Sequence, residues 1–133
     1  ETIAFTASLW IDGKKQASVE NSGHGGPNEC HFDDKEVERA FYEHCRSQPD
    51  VPCDFGDGTP LKMNSDFFIS RMIGKYDEEQ WMKRQTRTKV LFRREGDDEG
   101  YRQISLTQKG QKYTRKAVMD FLNNKYSDIV EMH

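Results

Sequence analysis

The sequence predicts an α+β domain in the order ββ-α-α-ββ-α. Two stretches alternate apolar and polar residues around a short polar turn, which is the pattern of a β-hairpin. Three others space apolar residues by three and four, the pattern of an amphipathic helix. The third observation is size: 133 residues allow one domain, spanning 1–133, and leave little room for two independent cores. Leu, Ile, Val and Phe make up only 25 of them, close to the level of disordered chains. Against that, 8 Phe, 5 Tyr and 2 Trp can bury about 150–250 Å² each, so a thin aromatic core is expected.

The first hairpin covers residues 2–20. Ile3, Phe5, Ala7, Leu9 and Ile11 alternate, Asp12-Gly13 supplies the two positive-φ positions of a type I′ turn, and Lys15, Ala17 and Val19 continue the alternation. Residues 21–28 (NSGHGGPN) hold three glycines and a proline, too many breakers for a regular element, so this is a shaped loop. Asp33 or Asp34 can cap a helix carrying Val37, Ala40, Phe41, His44 and Cys45 on one stripe. Residues 49–63 are rich in proline and glycine and are expected to be the most mobile internal stretch. Ser65 or Asp66 opens a second helix with Phe68, Ile69, Met72, Ile73 and Tyr76 on one face. Gly74 is placed to end or bend it, and Asp77-Glu78-Glu79-Gln80 reads as a capping box that restarts it. Thr88–Arg94 and Tyr101–Leu106, joined by an acidic glycine-flanked turn, form the second hairpin. A last helix from about Gln111 carries Ala117, Val118, Phe121 and Leu122.

No apolar run approaches the ~20 residues that cross a bilayer, and no basic-then-apolar leader is visible. Three cysteines without framework spacing (Cys30, Cys45, Cys53) read as free thiols of a reducing compartment. A bacterial cytoplasmic location is the corresponding expectation. The net charge of −3 conceals a division: residues 1–82 sum to −8, residues 83–116 to +7 and the remainder to −2. If Arg87, Lys89, Leu91 and Arg93 share one strand face and Thr88, Val90, Phe92 and Arg94 the inward one, the first face is a basic stripe, widened by Arg102 where the register of the neighbouring strand permits. Such a stripe suits an acidic protein patch or a phosphate backbone, and equally a solvated sheet edge guarded against aggregation.

Asp12-Gly13-Lys14 with Asn21-x-Gly23-His24-Gly25-Gly26-x-Asn28 resembles a set of small uncharacterised proteins of phages and mobile elements. Leu91-Phe92-Arg93 and Lys125-Tyr126-Ser127-Asp128 are similar to further motifs of that set. The resemblance implies a genomic setting and no catalytic residues. Arg93-Arg94, Arg102 and the run Ile104-Ser105-Leu106-Thr107-Gln108-Lys109-Gly110 resemble the wing of MarR-type winged-helix regulators. There, however, a recognition helix should precede the wing, and residues 77–86 open with three acids, the wrong sign for a phosphate-lined groove.

The glycine loop offers backbone N–H groups and His24 to an anion, with Asn21 and Asn28 as flanking candidates. Pro27 removes a donor and no Lys follows, so a tight connection whose asparagines hydrogen-bond their own backbone is the competing reading. Cys30-His31 and His44-Cys45 have metal-ligand types, but adjacent residues diverge too far to share one ion. Residues 54–59 (DFGDGT) lack the third acid and the closing Glu of a calcium loop. With no nucleophile elbow and no cofactor motif, the expectation is a non-enzymatic phage or mobile-element accessory protein. It would bind and block a host protein or ribonucleoprotein, such as a defence complex of the CRISPR type, through Arg87, Lys89, Arg93, Arg94 and Arg102 and the loop residues Asn21, His24 and Asn28. The alternative is a nucleic-acid binder using the second hairpin. No cofactor, metal or membrane contact is expected, and no oligomer is required.

Overall fold

A computed structural model describes residues 2–53 and 56–133. The α+β class is observed. The chain forms two compact units, Glu1–Lys75 and Tyr76–His133. Among the described residues, most buried side chains gather in two clusters, one in each unit, where the sequence predicts a single core.

The first unit is an antiparallel meander of β1 (Phe5–Ile11), β2 (Lys14–Asn21) and β3 (Glu29–Phe32). Asp12 and Gly13 have φ of 52° and 78°, and Ile11 pairs with Lys14, so the two-residue turn is as expected. Leu9 faces Ala17 while Trp10 faces Lys15, leaving Gln16 as the extra residue of a bulge. Leu9, Ala17 and Val19 pack against Phe41 and Cys45 of α1 (Lys35–Ser47) and Ile69 of α2 (Ser65–Thr86). Asp34 caps α1 through the N–H groups of Glu36 and Val37. The outer sheet face carries the exposed Thr6, Ser8, Ser18, Glu20, Glu29 and His31.

Asn64 caps α2, its Oδ1 accepting from the Phe67 N–H at 2.9 Å. The helix then runs unbroken through Gly74 to Thr86, so the expected break and restart do not occur. A glycine in a helix interior costs only about 1 kcal/mol against Ala, and favourable residues on either side carry the helix across it. Of the stretch expected to be mobile, 49–63, Asp54 and Phe55 lie outside the described residues. The rest includes a bridge between Val51 and Leu61 (N···O 2.6 and 2.8 Å) and the buried Met63.

In the second unit β4 (Lys89–Arg94) is the middle strand between β5 (Arg102–Ser105) and β8 (Ile129–Met132). β6 (Thr107–Gln108) and β7 (Gln111–Lys112) form a short ribbon turning at Lys109-Gly110, both with positive φ. The last helix, α3 (Arg115–Lys125), starts four residues later than expected, because the Thr114 side chain caps it by accepting from the Ala117 N–H. Val90 and Phe92 pack on Val118 and Leu122. Ala117 and Phe121, assigned by sequence to the same buried stripe, are exposed.

Gly23 shows where backbone freedom is indispensable. Its φ is +82°, and an added Cβ would stand 2.9 Å from the Cβ of Ala4. Gly25 has φ +87° with open space around it. Gly25→Ala should therefore cost only the left-handed penalty, about 1 kcal/mol, while Gly23→Ala adds a steric clash and should cost about 3 kcal/mol. Urea unfolding of the two variants checks this; equal losses would contradict the close approach.

Candidate functional site

The basic stripe does not form as the alternation suggests. Val90, Leu91 and Phe92 are all buried, Leu91 at 1 % exposure, because β4 is covered on both faces. α3 lies over Val90 and Phe92. On the other side Trp81 of α2 meets Tyr101 at 6.1 Å between ring centroids, and Lys89 donates to Gln85 Oε1 at 3.1 Å. A strand buried on both faces reads as a continuous apolar run, and its cations must leave at the ends.

They leave into the protein's own carboxylates. Arg94 makes a two-pronged contact with Asp128 (2.8 and 3.0 Å) while its guanidinium sits 4.1 Å above the Tyr126 ring. Arg102 grips Asp97 in the same way (2.9 and 3.0 Å). Arg93 lies 3.6 Å from Glu131 and 4.2 Å above the Tyr101 ring. Glu131 also accepts from the Tyr101 hydroxyl at 2.8 Å and sits 2.7 Å from His133 Nε2. Of the five expected binding cations, Arg87 is exposed, beyond the end of α2. Arg93 and Arg94 are neighbours on one strand and so point to opposite faces. The common docking face expected from the sequence is therefore absent, and with it the geometric basis for reading the hairpin as a nucleic-acid wing.

The glycine loop is bolted in place. Asn21 Oδ1 accepts from the Thr2 hydroxyl and the Gly23 N–H, both at 2.8 Å. Its Nδ2 donates to the Gly26 carbonyl (3.1 Å) and to Asn28 Oδ1 (3.0 Å). Asn28 in turn donates from its backbone to Asp66 Oδ1 (2.8 Å) and from Nδ2 to the Asp66 carbonyl and Ser70 Oγ. Asn21 thus closes the loop on itself and on Thr2, and Asn28 ties it to the start of α2, while the His24 ring is exposed. The tight-connection reading is the one this geometry supports.

Cys30 turns toward the first core and His31 away from it, so the adjacent pair diverges as expected. Burial pushes the Cys30 and Cys45 thiols up, which disfavours the thiolate needed for nucleophilic or ligand chemistry. Across β2 and β3, Glu20, Glu29 and His31 bring donor atoms within 4.8 Å of one another on the exposed face. These three are the described residues best able to hold a divalent cation. Spacing could not show it, because the ligands come from two strands.

The feature that sequence reasoning missed is an apolar groove of about 660 Å³ in the first unit. Val37, Ala40 and His44 of α1, Phe68 and Met72 of α2, and Trp10 on β1 line it. Both helices carry wider apolar stripes than the core uses: Phe41, Cys45 and Ile69 are buried, and Val37, Ala40, Phe68 and Met72 face the groove. Trp10 is 62 % exposed. Its signal is legible, since it stands on the polar side of an alternating strand between Leu9 and Ile11. No family model, no curated protein and no solved structure matches the chain.

Two consequences are measurable. The Arg102 side chain and the Arg94 backbone N–H hold Asp97 down to about 2. Asp128 is lowered by Arg94, and Glu131 by His133 and Tyr101. Depressed carboxyls stabilise fully above their unfolded pKa and lose that contribution as pH falls through the folded one. Melting temperature should hold down to about pH 4 and drop between there and about 2. Asp97→Asn should flatten that acid limb; an unchanged limb contradicts the pairing. In the loop, Asn21→Ala should cost about 2 kcal/mol by stranding its partners, and His24→Ala should leave urea unfolding unchanged. The reverse order would restore the loop as a ligand site.

Proposed function

We propose that the chain is a non-enzymatic binding protein that acts by docking on a partner protein and occluding part of its surface. The observation carrying this reading is the apolar groove of the first unit with Trp10 at its edge. Trp10, Ala40, His44 and Met72 are all exposed, so the space is an open groove suited to a ridge of side chains. Tryptophan is among the residue types in which binding hot spots are enriched. The fitting partner element presents an apolar face, such as one side of an amphipathic helix, with polar edges meeting Asp12, Lys14 and His44. The docking surface thus belongs to the first unit and uses none of the self-paired cations that the sequence pattern singles out.

The phage or mobile-element setting, a bacterial cytoplasmic location and a target within a host defence complex of the CRISPR type rest on the motif resemblance alone. No described helix is long and apolar enough to cross a membrane, which is compatible with that setting.

Affinity capture from bacterial lysate, with the wild type and Trp10→Ala side by side, tests the reading. Truncating a hot-spot tryptophan costs about 2 kcal/mol or more, about 30-fold in affinity, and an exposed position should leave the melting temperature unchanged. Loss of a captured protein in Trp10→Ala supports the groove. Equal capture by both proteins, or turnover of a small molecule by a protein that captures nothing, overturns it.

A further inference from the structure

The second unit separates its charges along the direction of β4. Glu95, Asp97, Asp98 and Glu99 fall in the turn after β4, and Asp128 meets Arg94 at the same end. At the other end, the Leu106 N–H donates to the Thr88 carbonyl and the Tyr113 N–H to the Leu106 carbonyl, both at 2.8 Å. The Arg115 guanidinium donates to the Thr86 carbonyl. The end of α2, the β6–β7 ribbon and the start of α3 therefore meet there. From residue 100 to 119 there is no acidic side chain, and the first turn of α3 has none either. Arg115 and Lys116 stand where the helix dipole favours carboxylates, which raises the local positive potential instead of cancelling it.

Beside this end lies a groove of about 510 Å³ lined by Ile104, Gln108, Tyr113, Ala117, Val118 and Phe121, with Ser105. Tyr113 and Phe121 are 43 % and 53 % exposed. No lining residue is charged; three lysines adjoin it in the chain (Lys109 follows Gln108, Lys112 precedes Tyr113 and Lys116 precedes Ala117) against one acid, Asp120 before Phe121. Lys109 and Lys112 are exposed, Lys116 pairs with Asp120 at 2.9 Å, and Lys125 Nζ lies 5.8 Å from the centre of the Phe121 ring.

We infer that this groove binds single-stranded nucleic acid, with Tyr113 and Phe121 stacking on bases and Lys109, Lys112 and Lys116 meeting phosphates. Exposed rings interleaved with cations are the combination that single-strand binding requires: every base has a face to stack, and the backbone needs only positive charge. Duplex is a poorer fit, because its bases are already stacked and the two exposed rings would find no face. The site is independent of the Trp10 groove, and the loss of either leaves the other standing.

Fluorescence anisotropy with a labelled oligothymidylate tests it on the full chain. Three phosphate contacts on a single strand should weaken binding about 20-fold between about 50 and about 200 mM salt. Tyr113→Ala and Phe121→Ala should each weaken binding about tenfold with unchanged melting temperature, and Lys109→Glu should reduce both affinity and salt slope. Absence of binding at low salt overturns the proposal. So do equal affinity for a duplex of the same length, and affinity unmoved by both ring truncations.

Discussion

The burial of β4 on both faces is the constraint from which the second unit's chemistry follows. Val90, Leu91 and Phe92 are consecutive and all enclosed, which leaves the strand no open side. The guanidinium heads of the two arginines that follow lie over neighbouring rings, Arg93 over Tyr101 and Arg94 over Tyr126. There, Glu131 of the last strand and Asp128 just before it receive them. β8 thus completes the sheet beside β4 and brings Glu131 to it, while Asp128 arrives on the segment just before. A guanidinium such as that of Arg94, forked onto both oxygens of one carboxylate and stacked on a ring, anchors a fold better than it recognises a stranger.

Contact surfaces are consequently found where the fold leaves something over. In the first unit a three-stranded meander cannot cover the full apolar width of two helices, so part of each stripe stays open beside Trp10. In the second, the ribbon and the start of α3 gather lysines that no carboxylate of the nearby chain neutralises, apart from Asp120 beside Lys116. The polar outer face of the meander offers a third chemistry, two glutamates set directly opposite one another with a histidine beside them. Like charges facing across a ladder are unfavourable, and the imidazole is placed to relieve them.

The first hairpin, the capped helix after Asp34 and the second hairpin are legible because each is written locally: Asp12-Gly13, an Asp followed by a three-four stripe, an acidic turn between alternating runs. β3 and β8 are not, since four residues with two inward positions carry too little period, and only pairing with β2 and β4 makes them strands. The glycine loop shows the same limit. Its composition announces a shaped turn, but the partners of Asn21 and Asn28 include Thr2, Asp66 and Ser70, and distance in sequence hides them. The basic stripe misleads for one physical reason: alternation implies one open face, whereas three successive apolar residues at the strand's centre signal two covered ones. Of the groove, only Trp10 leaves a mark in the sequence, because an apolar stripe does not say how much of itself the core will use.

Charge reversal at one ion pair addresses the central claim, that the arginines of β4 serve the fold. Arg94→Asp and Asp128→Arg are made singly and together, and thermal unfolding is followed for all four proteins. Each single change should lower the melting temperature, and the double change should recover a clear part of the loss, a coupling that only direct contact produces. Two single variants as stable as the wild type, with no recovery in the double, would show that the pair does not hold the sheet edge and would return Arg94 to the surface as a recognition residue.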